Sequence, residues 1–111
     1  MAEDKDTEKK INQLQLYEQS LQNILLQKQQ FQNQVTEFDS ALSELKKSSE
    51  SYRIIGNIMV KADSEELKKD LETKKSKMEL RIKTLDTQET NIQEKVEKLQ
   101  SDVMSRMKEN D

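Results

Sequence analysis

SYRIIGNIMVKAD, residues 51–63, departs from the habit of the chain around it. On either side the sequence is rich in Gln, Glu, Lys and Leu. Here β-branched residues gather about Gly56, the only glycine in 111 residues. The Tyr, Ile and Val residues flanking Gly56 and Asn57 read as two short strands, 52–55 and 58–62. Glycine at the first of two central positions suits a type II′ turn, whose twist matches that of the strands it joins. The stretch therefore predicts a hairpin that reverses the chain. One continuous helix from 8 to 108 is disfavoured by the same glycine and the same β-branched run.

Outward from the hairpin, the apolar residues fall into heptads. With Leu14 at position a, Leu21, Lys28, Val35 and Leu42 follow at a, and Tyr17, Ile24, Phe31, Phe38 and Leu45 at d. Alternating steps of three and four mark a coiled-coil seam. The seam runs straight through the glutamines of 13–34, which speaks against a low-complexity tract. After the hairpin, Leu71, Met78, Leu85, Ile92 and Leu99 fit d, and Ile82, Val96 and Val103 fit a, with Lys75 and Glu89 interrupting the a row. Asp63 is suited to cap this second helix, with Glu66 three residues on as a capping-box partner. The expected helices span 8–47 and 64–108, about 60 and 67 Å long at 1.5 Å per residue. The hairpin returns the second along the first, so the chain is expected to form one domain, an antiparallel two-helix coiled coil. Placing Leu45 level with Leu71 brings Leu14 level with Val103 and Lys28 level with Glu89. Those two charged breaks either face each other and fix register, or reach separately for water.

Composition agrees with long helices burying a narrow stripe. Hydrophobic residues make up 32% of the chain against 37% charged, too few for a conventional core. The net charge of −3 is interspersed, without the basic face expected of a nucleic-acid binder. No apolar run approaches the ~20 residues of a membrane span, and MAEDKDTEKK at the start has no apolar stretch of a secretory signal. A cytoplasmic protein is the expectation. With neither His nor Cys, the commonest general base, thiolate chemistry and zinc ligands are all missing. One glycine cannot make a phosphate-cradling loop. The carboxylates lie beside lysines, as in Glu65, Glu66, Lys68 and Lys69, and read as solvated faces. No enzyme, cofactor or metal is expected.

The hairpin asks for company. Two strands alone are marginal in water, and Tyr52, Ile54, Ile55, Ile58, Met59 and Val60 leave apolar surface and open edges with no third strand in the chain. Several hairpins joined in a shared sheet or barrel satisfy both needs; folding down onto its own helices is the alternative. At the other end of the helix pair, Ile11, Leu16, Met104 and Met107 lie off the seam. Apolar residues there are either an interaction surface, for which methionine is adaptable, or ordinary scattered surface hydrophobics.

Helix, single central hairpin and returning helix resemble the β-class subunit of prefoldin, of archaeal type. The likeness is carried by LLQKQQFQNQVTEFDSALSEL (25–45), YRIIGNIMVKAD (52–63) and MELRIKTLDTQETNIQEK (78–95). Heptads are weakly specific; the tyrosine, basic residue, glycine and aliphatic strand before a capped helix are more telling. The resemblance implies a hexameric, ATP-independent chaperone of two α-class and four β-class subunits, without cofactor. Its hairpins build a β-barrel platform, and the coiled-coil tips hold unfolded clients for a group II chaperonin. It implies assembly through Tyr52, Ile54, Ile55, Gly56, Ile58, Met59 and Val60. It implies client contact through Ile11, Leu14, Leu16, Tyr17, Leu99, Val103, Met104 and Met107. The alternative function is a structural coiled-coil adaptor or spacer, its hairpin a dimer cap, without client binding.

Overall fold

The computed structural model describes residues 2–48 and 50–109. Two long helices, α1 (Ala2–Lys47) and α2 (Ser64–Glu109), flank an antiparallel hairpin of β1 (Ser51–Ile55) and β2 (Ile58–Ala62). The mainly α fold is the expected one. Neither helix contains Gly or Pro, and Leu, Gln, Glu and Lys are strong helix formers. Glu65 and Glu66 in the first turn of α2, and Lys46, Lys47, Arg106 and Lys108 in the last turns, complement the helix dipoles.

Bounds differ from expectation in three places, the smallest being the end of α2 at Glu109 rather than at 108. Helix α1 starts at Ala2 rather than near residue 8. Nothing in the polar opening breaks a helix, and Asp6 and Lys10 are held by ion pairs to Arg106 and Asp102, the second at 3.6 Å. Strand β1 begins at Ser51, one residue early, because Ser51 pairs with Ala62 in the ladder. Asp63 does cap α2: its Oδ1 accepts from the Glu65 N–H at 3.3 Å, and its carbonyl takes the first helical bond from Leu67 at 2.9 Å.

The chain forms two compact units. The first takes in the chain up to Lys28 and from Thr84 onward; the second is Gln29–Lys83. In the first, the helix segments run antiparallel, as the pairs Asp6–Arg106, Lys10–Asp102 and Lys28–Asp86 show. Ile24, Leu85 and Val103 are its buried residues, while Leu14, Tyr17, Leu21, Ile92, Val96 and Leu99 are half-buried. Each was assigned to the seam by its heptad position. Lys28, at a seam position, places its ammonium 2.6 Å from Asp86 and 3.5 Å from Glu89. It therefore does reach the opposing charged break, and it lies closer still to a carboxylate that the heptad did not single out. The Asp86 hydrogen bond is the main cause of its raised pKa.

The second unit repeats the logic. Val35 is its buried seam residue, flanked by half-buried Phe31, Phe38, Leu42, Leu45, Leu71, Met78 and Ile82. Arg81 lies over the Phe31 ring at 5.7 Å from its centroid, a cation–π contact. Lys75 meets Asp39 across the pair at 2.6 Å, and that hydrogen bond raises its pKa.

Candidate assembly and client-contact surfaces

The hairpin grows from helix ends that are tied down by polar contacts. Ser48 continues the last turn of α1 and exchanges two hydrogen bonds with Glu50. Ser51, the buried polar residue among the described residues, donates its hydroxyl to the Ala62 carbonyl at 2.9 Å and lies 3.0 Å from the Ser64 hydroxyl. One side chain thus joins the start of β1, the end of β2 and the start of α2. Arg53 reaches Asp70 on α2 at 3.2 Å. The Asp70 carboxyl is held below its ordinary pKa, first by Lys74 and then by Arg53.

Above this base the strands pair in register from Ser51↔Ala62 to Ile55↔Ile58, leaving Gly56 and Asn57 as the loop. Gly56 has φ +62°, and Asn57 is not in the positive-φ region. A positive φ at the first central residue alone is the II′ pattern and excludes I′. Period two then divides the side chains. Arg53, Ile55, Ile58 and Val60 share one face; Tyr52, Ile54, Met59 and Lys61 share the other. Both faces are bare. Ile54 is 73% exposed, Ile58 and Met59 are each 66%, and Tyr52, Ile55 and Val60 are exposed too. Among the described residues no third strand lies beside either edge. The helices leave these apolar side chains exposed.

The eight residues expected at the client surface all belong to the first unit, and they divide sharply. Ile11, Leu16, Met104 and Met107 are exposed, with Leu16 and Met104 both at 63%. Leu14, Tyr17 and Leu99 are half-buried in the seam, and Val103, at 8%, is core. Seam membership and availability to a partner are opposed, so the four off-seam residues form the accessible set. Leu25 and Leu26 in the first unit and Leu80 in the second are exposed as well. Their off-seam heptad positions were the available signal. Ser51 and the Arg53–Asp70 pair carried no such signal. Among the described residues no acidic group could hold a metal ion, and no helix is long and apolar enough to cross a membrane.

The family model described as "Prefoldin subunit" matches residues 8–110. The chain belongs to the prefoldin family. A prefoldin subunit beta of Archaeoglobus fulgidus is 38% identical over 88 residues, covering 77% of this chain and 76% of the relative. That of Methanospirillum hungatei is 37% identical over 98 residues, covering 86% and 82%. The crystal structure of the prefoldin beta subunit from Thermococcus strain KS-1 superposes with a TM-score of 0.85 at 29% identity, over 90% of both chains. Prefoldin chains are chaperone subunits that assemble with other prefoldin subunits.

Proposed function

We propose that this chain is a β-class subunit of a hexameric, ATP-independent holdase made with α-class prefoldin subunits. In this reading the hairpins of all subunits join into a shared β-barrel platform. The ends of the helix pairs capture unfolded polypeptides and pass them to a group II chaperonin in the cytoplasm. The observation that carries it is the hairpin: six large apolar side chains exposed on both faces of a two-stranded sheet. Further strands from neighbours would cover those faces and pair those edges. Capture would then rest on many weak apolar contacts, each worth ~25 cal/mol per Å² of area removed from water. Several helix-pair ends around one client raise the effective concentration, so binding is firm yet reversible without ATP.

The test is solution mass by light scattering, for this chain alone and mixed with an α-class prefoldin subunit. A six-chain complex on mixing is the expected result. A stable dimer indifferent to the α-class subunit would refute the reading and return the chain to the adaptor class. Ile58→Asp should lower assembly affinity more than about a hundredfold, because an unpaired carboxylate in a barrel interior costs several kcal/mol.

A further inference from the structure

Within the second unit, beside the Tyr52 and Met59 side of the hairpin, lies a recess of about 340 Å³. Its apolar lining comes from Ala41 and Leu45 near the end of α1 and from Leu67 and Leu71 in the first turns of α2. Leu45 and Leu71 are seam residues and, like most of the seam, only half-buried; here the exposed part lines the recess. We infer that this recess seats one apolar side chain of a neighbouring prefoldin subunit, carried beside a lysine or arginine. The inference rests on the assembly reading and adds to it: the helix ends join the hairpin as part of the interface.

Three observations define the occupant. First, the recess is continuous with the hairpin, since Tyr52 and Met59 form part of its wall. A neighbour that covers these residues necessarily overlies the opening. Second, the hydroxyls of the wall are already engaged within the chain. Ser51 is bound to Ala62 and Ser64, Ser48 to Glu50, and Tyr52 donates to Glu50 at 3.1 Å. The recess thus offers apolar surface with few unmet polar demands, and an apolar side chain is what gains from entering it. Third, the charged residues of the wall are both acidic. Glu44 and Glu50 are exposed, and neither is in an ion pair among the described residues. A basic residue next to the inserted side chain would be drawn to this rim and would fix orientation.

The experiment fills the recess from within. Ala41→Trp places an indole where the neighbour's side chain would go, and Glu44→Lys reverses a rim charge at an exposed position while leaving the Tyr52–Glu50 bond in place. Each full-length variant is titrated with the α-class subunit, and complex formation is followed by light scattering alongside helicity. Ala41→Trp should weaken assembly about tenfold or more with helicity unchanged, as overpacking does at a closed interface. The rim reversal should weaken it about threefold to tenfold at low salt and much less at high salt. Ala41→Trp assembling as tightly as the unmodified chain overturns the recess proposal. So does a rim reversal without effect at low salt. An unmodified chain that never joins the α-class subunit overturns the assembly reading itself, which keeps the two failures apart.

Discussion

Lys28 is a single residue that breaks an apolar row and yet is not a flaw. Its stem lies in the seam while its ammonium meets Asp86 and Glu89 from the opposing helix. A charge at one a position disfavours other registers, since sliding the helices would strand it against apolar neighbours. The two distances, 2.6 and 3.5 Å, rank the partners. Double-mutant cycles of Lys28→Met with Asp86→Asn, and with Glu89→Gln, should give favourable coupling at low salt, larger for Asp86. Both couplings should fade near 1 M salt, where the Debye length is about 3 Å. Zero coupling at low salt would mean that the charges do not set register. The pH dependence follows from the raised pKa. The contribution is fully present below the ordinary 10.5 and is lost as pH rises through the higher folded value.

At the scale of elements, the hairpin is fastened to α2 by one charged and one uncharged link. The Ser51–Ser64 contact does not titrate; the Arg53–Asp70 pair does. The Asp70 pKa is lowered first by Lys74 within α2 and then by Arg53, so the stabilisation from both partners is present above the ordinary 3.8 and disappears as pH falls through the folded value. Asp70→Asn should lower the thermal midpoint by a constant amount from neutrality to about pH 5, with the gap closing below the ordinary carboxyl range. A gap that persists at pH 2 would show that Asp70 acts by packing instead. The elements themselves were legible in the sequence, because heptad spacing and a lone glycine among β-branched residues are local signals. The links between them were not. Nothing in a pattern of residues tells that Ser51 meets Ser64, or that Asp70 and not Glu66 answers Arg53, since those depend on how strand and helix leave the turn. The early start of α1 was missed for a related reason: Asp6 and Lys10 find their partners about a hundred residues away in sequence.

For the whole molecule, chaperone action requires apolar surface that the fold itself does not consume. Heptad position separates seam from exposed apolar surface in advance: Leu14 and Val103 belong to the seam, Leu16 and Met107 do not. The exposure of Ile11, Leu16, Met104 and Met107 was thus legible from their off-seam positions. Leu16→Asp with Met107→Asp should weaken suppression of client aggregation about tenfold, taking ~0.7 kcal/mol for each side chain, below the ~1.5–3 of full burial because a client covers it only in part. The mass of the assembly should be unaffected, and undiminished suppression by the double variant would place client contact elsewhere, with Leu25 and Leu26 next in line. The hairpin has a consequence of another kind. Two strands with oily faces and open edges pair as readily with a wrong neighbour as with the right one. A chain produced in excess of its partners is then an orphan with an adhesive surface, so the proportion in which the subunits are synthesised matters as much to its safety as the fold does.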